Sequence, residues 1–388
     1  MISRPIALAA AIATITALAF WLEARYTWAR NVGAALLVIV LGAALSNLGL
    51  VPTASPIYDG IFGPVTSLAI AWLLLAVRLS DLREAGPRML GAFGIGVLGT
   101  ALGSVVGALV LSGAFGAETW KLAGVTTGTY SGGSLNVVAV GRAVGLPTSL
   151  FAAATAADNI VTAVWFGATL LIPLWLSRSK GDMAAGSAVG GAGAAVAESA
   201  VAGPGAAGAG LSDGAALRAL DVTLLFALGF SLIWLADQLS AAMPAIPSVL
   251  WLTTLALGAG QLPAVRRLSG SMLLGTIALH FFFALIGIGS RVSEIVVVGP
   301  AVLYLMVIVV GVHGVVIYGV GRLVRTDIAT LSVASQAAIG GPTTAMALAI
   351  ARKWPALMLP GLAAGLIGYA VGNYAGFGIA YLIRSLLG

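Results

Sequence analysis

Apolar residues in this chain come in long unbroken runs, not in the alternating or 3.6-residue stripes of elements that keep one wet face. Twelve runs, bounded by charges, Pro or Gly, cover roughly 4–22, 32–50, 61–79, 89–113, 121–144, 149–176, 218–240, 247–261, 270–289, 296–320, 328–351 and 356–385. Their lengths suit helices crossing about 30 Å of hydrocarbon. The pattern predicts an all-α polytopic membrane protein. The first run follows Arg4 as a signal peptide would, but its length and a later counterpart favour a retained helix. Between runs six and seven lies 177–217, rich in Ala, Gly, Ser and Val, which reads as a flexible linker.

The runs on either side of that linker repeat. Run two closes on Leu50-Val51-Pro52 and run eight on Gln261-Leu262-Pro263. Run three is followed by Glu84 and Gly86-Pro87, and run nine by Glu294 and Gly299-Pro300. Run five holds Ser131-Gly132-Gly133-Ser134, and run eleven holds Ile339-Gly340-Gly341-Pro342. Offsets stay between 208 and 213 residues, so 1–176 and 218–388 read as two copies of one unit.

Composition agrees and narrows the class. Hydrophobic residues are 60% of the chain and charged ones 8%, against about 25% charged in soluble domains. Too few charges exist to cover a water-facing surface. No cysteine is present, which excludes disulfide frameworks, Cys-ligated zinc, iron–sulfur clusters and thiol catalysis, and two histidines leave little for a metal site. The net charge of +6 would suggest nucleic acid in a soluble chain; here it fits cytoplasmic loops, and no nucleic-acid partner is expected.

The cations also choose a topology. If all twelve runs cross, the 19 Lys and Arg divide ten to nine and no inside bias survives. If runs five and eleven enter and return on one side, turning at their Gly-Gly pairs, the division becomes fourteen to five. That asymmetry places the linker inside and both termini outside. Each half then has five crossings plus one re-entrant hairpin, and an odd number makes the two repeats inverted.

Candidate chemistry gathers at the hairpins. The first reads Thr126-Thr127-Gly128-Thr129-Tyr130-Ser131-Gly132-Gly133-Ser134-Leu135-Asn136, dominated by hydroxyl, amide and glycine. Non-helical backbone at membrane depth is tolerated only where protein or a water-filled cavity satisfies it, and a Gly-Gly vertex lets a solute approach. The helix arm beginning near Ser134 would aim its N–H groups at an anion. The second hairpin reads Ser335-Gln336-Ala337-Ala338-Ile339-Gly340-Gly341-Pro342-Thr343-Thr344, with Pro342 suited to a first helical turn. Candidate solute residues are therefore Thr129, Tyr130, Ser131, Gly132, Gly133, Ser134, Asn136, Gln336, Gly340, Gly341, Pro342, Thr343 and Thr344. Asp158, ten residues into run six, is the one acidic residue deep in an apolar run. A carboxylate there costs about 3 kcal/mol on insertion scales, so it reads as functional. With Asn159, and Asn373 in the second half, it could take Na⁺ or a proton; no other metal or cofactor is implied.

Other signals are structural. Gly94-Ile95-Gly96-Val97-Leu98-Gly99 matches a dinucleotide fingerprint but lacks a preceding strand. Gly99, Gly103 and Gly107 on run four, and Gly361, Gly365, Gly368, Gly372 and Gly376 on run twelve, predict close packing against the hairpins. His280 and His313 read as satisfied interior histidines. Arg142, closing the first hairpin, suits an anion or an ordinary interface position. Trp21, Tyr26, Trp28, Trp175, Trp234 and Tyr381 suit an aromatic belt.

The stretches Gly128–Asn136, Ala157-Asp158-Asn159 and Ser335–Thr344 resemble the bacterial membrane-protein family of unknown function 819, the YjcL-like proteins. The family name implies no substrate. More remotely, paired Gly-Gly hairpins in inverted repeats look like the sodium–glutamate and citrate symporters, and an Asp-Asn pair near broken helices is similar to the cation–proton antiporters. The symporter likeness implies a homodimer in which runs 4–6 and 10–12 form a core that slides against a scaffold of runs 1–3 and 7–9. The expectation is a secondary active transporter of the bacterial cytoplasmic membrane, not an enzyme. It would move a small anionic organic solute with Na⁺ or H⁺. A cation–proton antiporter and a non-transporting membrane partner or regulator are the alternatives.

Overall fold

The computed structural model describes residues 4–133, 135–177 and 217–387, which form helices and turns with no strand among them. In chain order the helices are α1 (Pro5–Arg25), α2 (Thr27–Val32), α3 (Ala34–Asn47), α4 (Pro56–Gly60), α5 (Thr66–Leu75), α6 (Asp81–Phe115), α7 (Thr119–Thr129), α8 (Leu135–Ala143) and α9 (Thr148–Ser177). They continue with α10 (Ala219–Ala242), α11 (Ser248–Ala259), α12 (Pro263–Arg266), α13 (Ser271–Gly289), α14 (Val292–Leu323), α15 (Ile328–Ile339), α16 (Pro342–Ala351) and α17 (Met358–Leu387). Of the linker 177–217, residues 178–216 lie outside the described residues, as does Ser134.

Local chemistry sets the boundaries. Pro64 falls in a π turn, Ile61–Val65, between α4 and α5, where the Thr66 hydroxyl donates to the Ile61 carbonyl at 3.2 Å. α6 bends at Gly86, whose φ of 70° precedes Pro87. α15 starts on Asp327, which accepts from the Thr330 amide and hydroxyl, both at 2.8 Å. Among the described residues, eight helices are long and apolar enough to cross a membrane. Their outer faces carry exposed side chains such as Leu98, Val110, Val164, Val297 and Val315, a surface that water does not tolerate at this extent. All six residues of the expected aromatic belt are exposed, Trp175 at 80%.

The chain divides into two compact units that cut across its halves. Among the described residues, the first holds 4–78, 147–156 and 217–300; the second holds 79–133, 135–146, 157–177 and 301–387. Runs one to three and seven to nine thus fall in one unit, and most of runs four to six and ten to twelve in the other. This is the grouping that the symporter likeness implies.

In the first unit α3 and α13 cross at glycines: a Cβ on Gly42 would stand 2.6 Å from the Ala284 carbonyl oxygen. Phe62 and Phe151 pack around Phe282, with ring centroids 5.0 and 5.5 Å away. The Asn47 amide donates to the Ser290 carbonyl at 3.0 Å, and the Thr148 hydroxyl to the Gly289 carbonyl at 2.9 Å. His280 is half satisfied: Nδ1 meets the Thr276 carbonyl at 2.7 Å, but Nε2, buried beside Phe20, has no partner.

In the second unit a core that includes Phe93, Phe166, Leu331, Val333 and Leu348 surrounds α15, α16 and α17. α17 supplies its glycine row, Gly361 to Gly376, to both broken helices, as expected. The α6 row does otherwise. A Cβ on Gly99 would meet His313 and Val316, one on Gly103 would meet Val309, and one on Gly107 would meet Leu305, so this row packs on α14 and not on the hairpins. Glycine spacing specifies a close approach but not the partner.

Candidate functional site

Runs five and eleven each break at their Gly-Gly pair. α7 ends at Thr129, the chain turns through 130–133, and α8 starts at Leu135. Gly133 has φ 104° and Gly341 has φ 82°, a region that residues with a Cβ avoid. Pro342 then opens α16 without needing a donor. Both runs double back. A Cβ on Gly128 would lie 3.1 Å from Val140 Cγ2, although twelve residues of straight helix span about 18 Å. Val333 and Ala345, also twelve apart, likewise converge on one position of α17, Gly361.

One brace recurs at the 208-residue offset. The Asn136 amide donates to the Gly128 carbonyl at 3.1 Å, and the Thr344 hydroxyl donates to the Gln336 carbonyl at 3.2 Å. Position 136 corresponds to 344 and 128 to 336. In both turns a polar side chain on the outgoing arm ties a carbonyl of the incoming arm.

The two turns meet. A Cβ on Gly341 would lie 3.5 Å from the Gly132 carbonyl oxygen and 3.9 Å from Gly133 Cα. Both press on α17: a Cβ on Gly368 would stand 2.6 Å from Gly132 Cα, and one on Gly365 would stand 2.5 Å from Pro342 N. Tyr369 adds its ring edge beside Gly133.

Several polar atoms here are buried without a partner. Ser131 Oγ, Asn136 Oδ1 and Gln336 Oε1 belong to side chains with no exposed surface and accept no hydrogen bond. Thr129 is satisfied inside α7, donating to the Val125 carbonyl at 2.7 Å. Thr343 is half-buried, and Gly340 precedes the meeting point. Asp158 is the only acidic side chain among the described residues that is buried. Thr162 donates to its Oδ1 at 3.0 Å, and it faces the buried Tyr130 hydroxyl of the first turn. That hydroxyl has no hydrogen-bond partner of normal geometry. Asn159 is half-buried, next to the exposed Ile160. Asn373 is buried beside Gly372, where α17 runs along Asn136 and Gly128. Arg142 stands at the far end of α8, seven residues past Leu135, or about 10 Å from the turn. No Lys or Arg is buried among the described residues.

The family described as "Protein of unknown function (DUF819)" matches residues 10–386. The chain belongs to this family. It is also 29% identical over 376 residues to the uncharacterized membrane protein YjcL of Bacillus subtilis (strain 168), covering 94% of this chain and 93% of that one.

In this DUF819 chain a hydrogen-bond chain behind the turns was not foreseen. The Thr100 hydroxyl lies 2.8 Å from the Tyr130 carbonyl, which can only accept, so Thr100 donates to it. His313 Nδ1 lies 2.9 Å from both Thr100 Oγ1 and the Gly96 carbonyl, so Nδ1 carries the proton. His313 Nε2 must then accept from Ser335 Oγ at 2.9 Å, and Ser335 in turn accepts from the Trp165 indole N–H at 2.9 Å. The partners fix one neutral tautomer and one direction along the chain. His313 is thus a satisfied interior histidine, and it links the first turn to α15. The available signal was a polar pair one turn apart, Thr100 and Ser104, inside an otherwise apolar run.

Proposed function

We propose that this DUF819 protein is a secondary active transporter that moves a small anionic organic solute with Na⁺ or H⁺. The observation that carries the reading is the meeting of two glycine turns, with bare backbone and unpartnered polar atoms, inside a unit whose outer face is apolar. Turns of this kind belong at membrane depth only where they line a cavity for a solute or water. α8 and α16 both begin at the turns, so the positive ends of two helices favour a carboxylate there. Asp158, against Tyr130, is the group for the coupling cation, with Asn159 adjacent.

In this reading runs five and eleven are re-entrant and the two repeats are inverted. The unit that holds both turns moves as one body, and the protein works as a homodimer. It lies in the bacterial cytoplasmic membrane with its termini outside and 177–217 inside. The fourteen-to-five division of cations and the doubling back of both runs support the re-entrant topology.

Purified protein in proteoliposomes tests the function. Uptake of a small carboxylate, driven by an imposed Na⁺ or proton gradient and lost in Asp158→Asn, is expected. Cation–proton exchange at full rate without any added solute would replace this reading with the antiporter one. A protein with neither activity, whose cellular phenotype survives Asp158→Asn and Asn136→Ala, is a non-transporting partner.

A further inference from the structure

We infer that the turns select a solute carrying an N–H or O–H donor beside its carboxylate, an amino or hydroxy acid, and that Asn136 Oδ1 and Gln336 Oε1 read that donor. The inference rests on the transport reading above. Its basis is the orientation of two buried amides, which partner chemistry fixes. Asn136 Nδ2 lies 3.1 Å from the Gly128 carbonyl and 3.2 Å from the Gly368 carbonyl. Both partners only accept, so the NH₂ group must face them and Oδ1 must face away. Gln336 Nε2 lies 2.8 Å from Thr169 Oγ1, whose own proton goes to the Phe166 carbonyl at 2.9 Å. Thr169 can therefore only accept from Gln336, and Oε1 is the end left over.

Both side chains have no exposed surface, and both oxygens lack a donor. Buried amide oxygens are nearly always hydrogen-bonded. These two stand at one place in the fold. The Asn136 amide N–H donates to the Gly133 carbonyl at 3.1 Å, and the Gln336 carbonyl accepts from the Gly340 N–H at 2.9 Å. Each is thus one helical turn from where Gly133 and Gly341 meet, one on each hairpin. Ser131 Oγ, also buried and unpartnered, adds a third group on the first turn.

Charge argues the same way. No Lys or Arg is buried among the described residues to meet a carboxylate directly. A bare carboxylate would meet helix N-termini but leave two acceptors dry. A neighbouring ammonium has protons for both, and a neighbouring hydroxyl has one for either of them.

The test uses three matched sets of acids: propionate, lactate and alanine; succinate, malate and aspartate; glutarate, 2-hydroxyglutarate and glutamate. Binding to purified full-length protein is read by thermal shift and by competition for uptake, with and without Na⁺. In at least one set the hydroxy or amino member should bind about tenfold or more tighter than the donor-free acid, since sites built to bond an OH or NH reject the analogue lacking it. Gln336→Met should shrink that ratio to about threefold or less while leaving the donor-free acid's affinity in place. Gln336→Glu, which keeps acceptor oxygens, should retain the discrimination and guards against a misfolded Met variant. Equal binding of donor-free acids in every set, or an unchanged ratio in Gln336→Met, overturns the inference and leaves transport standing. Stabilisation by Na⁺ alone that is lost in Gln336→Met and kept in Asp158→Asn also overturns it, by giving these oxygens to the ion. Binding of no acid at all overturns both readings.

Discussion

The chain from Trp165 through Ser335, His313 and Thr100 to the Tyr130 carbonyl can be tested as a single unit. Thr100→Val is nearly isosteric. It removes the donor to Tyr130 O, 2.8 Å away, but leaves the His313 Nδ1 proton its second acceptor, the Gly96 carbonyl at 2.9 Å. One orphaned buried carbonyl should cost about 1–2 kcal/mol. Ser335→Ala strands two groups, the Trp165 N–H and His313 Nε2, and should cost about 3 kcal/mol. Thr100 and Ser335 make no bond to one another, so any coupling between them passes through the imidazole. If the chain is cooperative, the double variant should be less destabilised than the two singles combined, by about 0.5–2 kcal/mol. The assay is reversible denaturation of the purified protein in detergent, followed by tryptophan fluorescence, for wild type, both singles and the double. Effects that add within about 0.4 kcal/mol would refute cooperativity. A larger loss for Thr100→Val than for Ser335→Ala would refute the assigned direction of the bonds.

Three further outcomes are expected. Gly132→Ala should prevent accumulation of folded protein, because its Cβ has no room against the Gly368 backbone; Gly133→Ala, whose Cβ would make only ordinary contacts of 3.6–4.0 Å with Tyr369 and Gly341, should lose about 1–3 kcal/mol to strain at φ 104° and still fold, as thermal unfolding will show. Asp158→Asn keeps an acceptor for Thr162, 3.0 Å away, so it should unfold within about 1 kcal/mol of wild type yet lose the Na⁺ or pH dependence of transport in proteoliposomes. Since the chain has no cysteine, single Arg142→Cys and Lys353→Cys variants give a clean topology test: an impermeant maleimide added to whole cells should label the first and not the second, and labelling of neither or of both would remove the inverted re-entrant arrangement.

What was legible in the sequence was whatever the membrane imposes along a single helix. A bilayer requires long apolar spans, so runs such as 89–113 and 149–176 announced α6 and α9. A break in such a span needs special residues, so Gly132-Gly133 and Gly340-Gly341 announced the two turns. Asp158 stood out because a lone carboxylate is costly at that depth. What stayed hidden depends on which helix lies against which. Gly103 gave no sign that Val309, two hundred residues away, fills the space beside it. Nor could local pattern show that Thr100 reaches the Tyr130 carbonyl, or that Gln336 spends its amide on Thr169 and leaves its oxygen bare. Arg142, which suits an anion or an ordinary interface position in the linear reading, stands at the end of α8, about 10 Å of helical rise from the turn.

The two turns share a frame and differ in what they place on it. Both turns use a brace across eight residues, yet the braced carbonyl belongs to Gly128 in one and to Gln336 in the other. Gly128 has no room for a longer side chain, since a Cβ there already meets Val140 Cγ2 at 3.1 Å and the Gly372 carbonyl at 3.3 Å. The bracing residue differs as well: Asn136 has a bare oxygen left after bracing, while the Thr344 hydroxyl reaches only the Gln336 and Gly341 carbonyls. Among the described residues, only the first half carries a buried carboxylate. A pair of identical turns would present a pseudo-symmetric site, unable to tell one end of a solute from the other. Here the backbone geometry is kept, so the turns can still meet, while Asn136, Gln336 and Asp158 occupy non-equivalent positions. In the proposed transport reading, that inequality would hold a single carboxylate-bearing solute in one orientation, with its charge toward the helix starts and its donors toward the amide oxygens.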